Sequence, residues 1–185
     1  MIEVVKIFII FKSPLILNII LMKRFMTYFL FLMLVFTACT NVDKETENKP
    51  PDPAAEKAAI KLLLEKYIIA NETGNISIIE DIWANDSSVY TIGTDRNEEL
   101  RGYEAVKEKF VNQFNIFENT YISSRDQVIY ISPGCNAAWF SEVLQYNFTI
   151  EDTPREYSDL RFTGFAEKRD GKWKLVHTHL SAPLR

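Results

Sequence analysis

Residues 169–183 read RDGKWKLVHTHLSAP, and this stretch decides the fold. Asp170-Gly171 is a dipeptide strongly favoured in tight two-residue β-turns, so it predicts a hairpin that joins two strands. The second strand carries both histidines of the chain, His177 and His179, two positions apart. Side chains at that spacing point to the same face of a sheet, which makes the pair a candidate for a functional site.

The hairpin turn predicts a register. With Asp170 and Gly171 as the two turn residues, the predicted pairs are Arg169–Lys172, Lys168–Trp173, Glu167–Lys174, Ala166–Leu175, Phe165–Val176, Gly164–His177 and Phe162–His179. Lys172 and Lys174 mark the face of the second strand that is nearer to solvent. The alternate residues of that strand are therefore predicted to face inward: Trp173, Leu175, His177 and His179. A β-bulge would exchange the two faces beyond it.

Upstream of the hairpin, the sequence predicts three helices and further strands. Apolar residues at helical spacing predict helices in 54–75, 76–84 and 101–117. Strand-like runs occupy 87–93, 120–132 and 137–150, ahead of the hairpin strands at 157–169 and 172–181. Helices followed by antiparallel strands predict an α+β domain.

The C-terminal pattern also carries a family resemblance. It fits D-G-x-W-x-h-h-H-x-H-x-S, where h is apolar, at Asp170, Gly171, Trp173, His177, His179 and Ser181. Together with RGYEAVKEKF (101–110) and RFTGF (161–165), it resembles the NTF2-like superfamily, in particular SnoaL-like domains and the association domain of calcium/calmodulin-dependent kinases. The resemblance covers residues 55–183. It implies a cone of three N-terminal helices packed on a curved antiparallel β-sheet, with a pocket between the layers and often dimerisation through the sheet.

The implied pocket makes ligand binding the leading hypothesis. A neutral imidazole donates from one nitrogen and accepts at the other, so His177 and His179 would border the pocket and orient a polar ligand group. The rest of the pocket wall would be mostly apolar and would come from Trp83, Tyr90, Phe110 and Trp139. For each of these four residues the alternative is that it packs in the core. Such a pocket suits a small, largely apolar molecule.

An enzyme of the isomerase, cyclase or dehydratase type is the first alternative, because the superfamily contains such enzymes. Proton transfer needs a carboxylate base in an apolar pocket. Glu142 lies among apolar residues of a strand and is the candidate base, with His177 or His179 as a further acid–base group. Glu142 could instead pair with Arg161 on the next strand. Related association domains bind carboxylates through arginines that this chain lacks at Ser141, Gly164 and Leu180; a bulge could turn Arg161 inward as a substitute.

The second alternative is a pure dimerisation module, in which the pocket is filled and the sheet face forms the interface. Metal binding is not predicted, because zinc needs three or four ligands and, beyond Cys39, the chain offers two histidines and Cys135. No cofactor is predicted either. The first 39 residues hold four of the 21 basic and one of the 25 acidic residues, which leaves a net charge of −7 for the rest. Such an acidic surface repels phosphate backbones, so nucleic acid is not an expected partner.

The N-terminal segment predicts a secretory signal, with one or two membrane-spanning helices as the alternative. Lys23 and Arg24 precede the mostly apolar run 25–36, and FTAC (36–39) resembles a bacterial lipobox in which Cys39 is the lipid acceptor. Residues 1–38 are therefore a signal region, with Met22 as the predicted true start. Residues 39–54, rich in charge and containing three prolines, predict a flexible tether, and 55–185 form the domain. Acyl chains at Cys39 would anchor the protein to a membrane of the bacterial cell envelope, on the periplasmic side or the cell surface.

Overall fold

A computed structural model describes Lys23, Met26 and residues 52–183. The chain divides into two units, Met1–Lys49 and Pro50–Arg185, and the second contains the helices and strands discussed below. The predictions for Met22, Cys39 and nearly all of the tether fall outside the described residues. Within the described part of the chain, no helix is both long enough and apolar enough to cross a membrane.

The domain begins with two consecutive helices, and a third follows two short strands. The helices are α1 (Pro53–Thr73), α2 (Ile76–Ile82) and α3 (Tyr103–Ile116). Asp52 caps α1 by accepting a hydrogen bond from the Ala54 amide at 2.9 Å, and Pro53 occupies the first turn, where its missing N–H is no loss. Gly74 ends α1 in the left-handed region at φ 61°, where a residue without Cβ is favoured.

Six strands form one curved, unclosed sheet. They are β1 (Tyr90–Ile92), β2 (Glu99–Arg101), β3 (Glu118–Ile131), β4 (Ala137–Ile150), β5 (Thr153–Arg169) and β6 (Lys172–Ser181), in the spatial order β2-β1-β6-β5-β4-β3. The three helices pack on this sheet, which confirms the predicted α+β cone. The sheet is not wholly antiparallel, because β1 runs parallel to β6, and β2 is a short strand that the sequence patterns did not predict.

The core lies between α1 and the inner face of the sheet. The residues of β4 alternate, so that Phe140, Leu144 and Tyr146 point inward and are buried. On α1, Tyr67 stacks on Phe162 of β5 with ring centroids 4.6 Å apart. This stacking joins the helix layer to the centre of the sheet, where burial of large aromatic groups contributes most to stability.

The β5–β6 hairpin follows the predicted register only as far as Ala166. The observed pairs Arg169–Lys172, Lys168–Trp173, Glu167–Lys174 and Ala166–Leu175 confirm the four predictions nearest the turn. Beyond them Phe165 pairs with His177, so β6 contains one extra residue, Val176. This bulge exchanges the two faces, and Thr178 is buried on the inner face where a histidine was expected. The prediction that His177 and His179 face inward is therefore wrong, since both lie on the outer face.

Candidate functional site

Two adjacent small chambers lie inside the cone, with volumes of about 110 Å³ and about 50 Å³. They are lined from α1, α3, the β1–β2 turn and the inner face of the sheet. Five residues line both chambers: Tyr67, Glu98, Lys109, Gln113 and Leu180. We call the two chambers together the cone cavity, because this shared wall makes them neighbouring parts of one site.

A buried polar network forms one side of the larger chamber. Asn71 Oδ1 accepts hydrogen bonds from Gln113 Nε2 at 2.8 Å and from the Tyr146 hydroxyl at 3.1 Å. The amide of Asn71 donates to the backbone oxygen of Tyr67 at 2.8 Å, which fixes the Asn71 side chain. Among the described residues nothing donates to the side-chain oxygen of Gln113. The network therefore offers the cavity one unused acceptor.

The two phenols of this wall remain protonated over the physiological pH range. Burial raises the pKa of Tyr146 well above its ordinary value. Burial also raises the pKa of Tyr67, and the negative charge of Glu98 adds to the effect. A protonated phenol can donate as well as accept a hydrogen bond, so these two side chains offer neutral polar groups to the cavity.

An ion pair lies at the edge of the cavity. Glu98, beside β2, contacts Lys109 of α3 at 2.5 Å and accepts a hydrogen bond from the Thr94 amide at 3.0 Å. The β1–β2 turn therefore folds over the cavity, and the carboxylate of Glu98 in this segment is held by Lys109 of α3. Gly93 makes this possible, because a Cβ at that position would lie 1.9 Å from Glu98 Oε2.

The smaller chamber is lined by two of the predicted aromatic residues, Trp83 and Phe110. Their ring centroids are 6.3 Å apart, and Trp83 is fully buried at the end of α2. The indole N–H of Trp83 has no hydrogen-bond acceptor within the described part of the chain. A buried donor without a partner is costly, so this N–H is a second polar group that a ligand or a water could satisfy.

Glu142 is buried on the inner face but does not line the cone cavity. Its Oε2 accepts a hydrogen bond from Gln127 Nε2 at 2.8 Å, and its Oε1 has no partner in the described residues. Burial raises the pKa of this carboxyl above its ordinary value. A register shift in β3 between Arg125 and Val128 contains Gln127, the partner of Glu142. Arg161, the predicted partner, pairs with Val143 on the opposite face and is exposed, so that prediction is wrong.

The other predicted pocket residues lie on the outer face of the sheet. They are Tyr90, Trp139, Arg161, His177 and His179, none of which lines the cone cavity. His177 Nδ1 is 2.9 Å from the backbone oxygen of Tyr90, which can only accept, so Nδ1 carries the proton. No group of three or more metal-ligating side chains occurs within the described residues.

A continuous row of rings crosses this outer face from β3 to β1. Register partners place Tyr130 beside Trp139, Trp139 beside Phe165, Phe165 beside His177, and His177 beside Tyr90. Tyr130 and Trp139 stack at 5.7 Å, and Tyr90 and His177 stack at 5.4 Å. Phe165 remains 53% exposed and Trp139 41% exposed. We call these five residues the outer aromatic row; together they form an exposed apolar strip of the kind that often marks an interaction site.

The cone, its cavity and the C-terminal hairpin agree with the comparison to known families. The model of the SnoaL-like domain matches residues 60–185. The chain belongs to this family. A search of curated protein sequences finds no match.

Solved structures with the NTF2-like fold are similar to this SnoaL-like domain. An NTF2-like superfamily protein from Salmonella enterica has a TM-score of 0.65 at 15% identity, and the match covers 72% of this chain and 95% of that one. A protein from Xanthomonas campestris, described as a calcium/calmodulin dependent protein kinase II association domain, gives 0.57 at 22% identity, covering 67% and 85%. A protein from Novosphingobium aromaticivorans, described as a scytalone dehydratase, gives 0.62 at 15%, covering 71% and 86%. At these identities the similarity establishes the fold alone.

Sequence reasoning missed most of the cavity wall of this SnoaL-like domain. The missed residues are Tyr67, Asn71, Glu98, Lys109, Gln113 and Tyr146. One signal was available, because Asn71 follows Tyr67 by four positions on the apolar face of α1, where an amide needs a buried partner. The partners themselves come from α3 and β4 and depend on the tertiary fold.

Proposed function

We propose that the domain binds a small, neutral, largely apolar molecule with one hydrogen-bonding group in the cone cavity. The observation that carries this proposal is the buried network of Asn71, Gln113 and Tyr146, which faces an unfilled space and leaves the Gln113 oxygen without a donor. A ligand hydroxyl could donate to that oxygen while its apolar body contacts the aromatic wall. A small-molecule site has this composition of mostly apolar surface with a few placed polar groups.

The size of the cavity restricts the ligand. The larger chamber measures about 110 Å³. An engineered apolar cavity of roughly 150 Å³ holds benzene, so a molecule of about one ring would need both chambers of the cone cavity and not the larger one alone. The phenols Tyr67 and Tyr146 are neutral, and the charged lining residues Glu98 and Lys109 pair with each other, which favours an uncharged ring alcohol or phenol.

Phenol is a suitable probe for this proposal. We expect it to shift the NMR signals of Tyr67 and Gln113 in the full-length protein. Gln113→Leu should weaken phenol binding by roughly threefold to tenfold, the effect of one hydrogen bond. Asn112→Leu, at the neighbouring exposed position of α3, is the matched control and should leave the affinity unchanged. If phenol causes no shift at the cavity residues, or if both variants behave alike, the proposal fails. Native mass spectrometry of the protein as isolated would report a ligand carried from the cell.

A proton-transfer enzyme is a second candidate, and Glu142 favours it. Its partnerless oxygen and raised pKa are properties of a carboxyl group poised to exchange a proton. Glu142 pairs with Phe162, which stacks on the cavity residue Tyr67, so a modest shift of these rings would connect the carboxyl to the cavity. Turnover of a ring ligand that is abolished by Glu142→Gln while binding persists would support this candidate. Unchanged turnover in Glu142→Gln would exclude it.

We also propose that the protein is a lipid-anchored component of the bacterial cell envelope. The support is the sequence 22–39, in which a basic start, an apolar run and FTAC precede Cys39. The first described helix of the domain begins at Pro53, and the sequence between Cys39 and that helix is charged and contains prolines, as a tether would. Metabolic labelling with an alkyne-bearing fatty acid should modify the protein, and Cys39→Ala should abolish the label. Retention of the label in Cys39→Ala would overturn the assignment.

A homodimer formed through the sheet is the third element of the proposal. It is supported by the outer aromatic row, whose exposed rings would be covered by a second copy. Such an interface would leave the cone cavity open on the opposite face of the sheet.

A further inference from the structure

A second concave surface of the domain is a groove outside the cone. It measures about 370 Å³ and lies between α1 and the start of β6. This volume falls within the roughly 300–1,000 Å³ of small-molecule sites. None of its lining residues lines the cone cavity, so the groove is a separate candidate site.

The groove has an apolar floor with one rigid wall. Leu62 of α1 lines it and is 54% exposed, while Leu63 beside it is buried. The opposite wall is the indole of Trp173, whose Nε1 donates to Glu56 at 2.7 Å. The ammonium of Lys168 lies 5.4 Å from the centroid of the same ring, and this cation–π contact also restrains the indole. A preformed apolar surface lowers the cost of ordering a ligand chain.

The rim of the groove is cationic. Lys66, Lys172 and Lys174 surround a single carboxylate, that of Asp81. Lys66 contacts Asp81 at 2.7 Å, and Lys174 Nζ lies 3.8 Å from the other carboxylate oxygen. Lys172 is exposed and forms no ion pair with any described residue. The rim therefore retains positive charge in a chain whose net charge is −4.

We propose that this groove binds a single-chain amphiphile with a carboxylate head, that is, a free fatty-acid type of molecule. The acyl chain would lie on Leu62 and Trp173, where each buried methylene adds to the affinity. The carboxylate would pair with Lys172. Because Lys66 and Lys174 both contact Asp81, Lys172 is the lysine of the rim that forms no ion pair with a described residue, and it is available to pair with a single carboxylate head.

Photo-labelling tests the proposal on the full-length chain in phosphatidylcholine nanodiscs. A decanoate that carries a diazirine should label peptides containing Leu62 or Trp173. Unlabelled decanoate should compete, whereas decanol, which has the same chain without the charge, should compete poorly. In an octanoate, decanoate and dodecanoate series, each added methylene should strengthen competition by about fourfold at most. Labels confined to cone-cavity residues, or equal competition by decanol, would overturn the proposal.

Matched variants locate the interaction. Lys172→Glu should reduce labelling by about threefold or more, while Lys61→Glu makes the same charge change on α1 outside the groove and should have little effect. Leu62→Asp should abolish labelling, and Ile69→Asp, at another exposed site on α1, should not. Gln113→Leu should leave labelling unchanged, which separates this site from the cone cavity. Equal effects of a variant and its control would contradict the proposal. Loss of labelling in phosphatidylglycerol nanodiscs, in place of phosphatidylcholine nanodiscs and with no competitor added, would also contradict it.

Discussion

Glu142 is the only charged side chain among the buried groups of the described residues. Gln127 donates a hydrogen bond to it, the Ser124 hydroxyl also acts to lower its pKa, and its Oε1 has no hydrogen-bond partner among the described residues. Desolvation of this kind disfavours the ionised form, which is why its pKa is raised. The same residue thus lowers stability at neutral pH and supplies an unusual proton-exchanging group, a combination typical of functional sites.

The change Glu142→Gln should make the protein more stable at pH 8 by about 1 kcal/mol. The folded pKa lies above the unfolded value of about 4.3, so the folded parent holds its proton more tightly. The parent therefore loses stability as pH rises from the unfolded to the folded pKa, whereas glutamine does not titrate. Urea unfolding at pH 4 and pH 8 should show the difference only at the higher pH.

Glu108→Gln, an exposed change on α3, is the control and should show no such pH dependence. A destabilised Glu142→Gln at pH 8 would mean that the carboxylate is favourably paired there, contrary to the geometry.

The structure places three of the residues predicted from the sequence inside the cone, while their functional roles stay predictions. Trp83 and Phe110 line the cavity, and the candidate base Glu142 is buried on the inner face. Arg161 was expected beside Glu142, but it pairs with Val143, the next residue of β4. Adjacent residues of a strand point to opposite faces, so Arg161 lies on the face away from Glu142. Asn71 and Gln113 could not be paired from the sequence, because 42 residues separate them and only the packing of α3 on α1 joins them.

At the scale of elements, the β5–β6 hairpin shows where local signals end. The turn dipeptide correctly predicts four pairs, because turn geometry fixes the register next to it. The bulge at Val176 has no sequence signature, and it moves His177 and His179 to the outer face. Its physical setting is tertiary: the extra residue, Val176, is buried and lines an outer-face hollow together with Phe165 and His177.

Gly164 lies beside this bulge, and its replacement should be costly. A Cβ there would lie 2.3 Å from the backbone oxygen of His177 and 2.7 Å from the ring of Phe140. Gly164→Ala should therefore destabilise the domain by about 1–3 kcal/mol, as overpacking does, measured by thermal unfolding. Gly134→Ala in the β3–β4 turn is the control, because its nearest contact is a movable side chain at 3.3 Å. Equal stability of the two variants would show that β6 can shift to accommodate the methyl group.

Glu56 joins α1 to the hairpin. Its carboxylate contacts Lys168 at 2.5 Å and accepts from Trp173 at 2.7 Å, and its side chain is only 16% exposed. The Lys168 hydrogen bond holds the pKa of Glu56 below its ordinary value. Stability from this group is then present above the unfolded pKa and lost as pH falls through the folded pKa.

Glu56→Gln should cost about 1–2 kcal/mol at pH 7, and the difference from the parent should shrink toward pH 3. Urea midpoints measured across this range provide the test. Glu65→Gln, on an exposed position of the same helix, should be neutral throughout. A loss that is constant with pH would show that the effect comes from packing and not from ionisation.

At the scale of the whole molecule, the outer aromatic row predicts the oligomeric state. Phe165→Glu should convert a dimer to a monomer, because a charge would be buried without a partner in the proposed interface. Native mass spectrometry of the full-length protein measures the change. Val111→Glu, an exposed apolar position on α3, is the control and should leave the dimer intact. A monomeric parent, or equal dissociation in both variants, would contradict the proposed interface.

The link from Glu56 to Lys168 and Trp173 spans 112 and 117 positions of the chain. During synthesis, which runs from the N-terminus, the opening helix must therefore wait for the final hairpin before these partners exist. A nascent chain that lacks its last two strands would expose the apolar side of that helix. If the protein is exported, this delay keeps the chain unfolded and competent for translocation until synthesis is almost complete. Truncations at the C-terminus should for the same reason damage folding more than truncations in the tether.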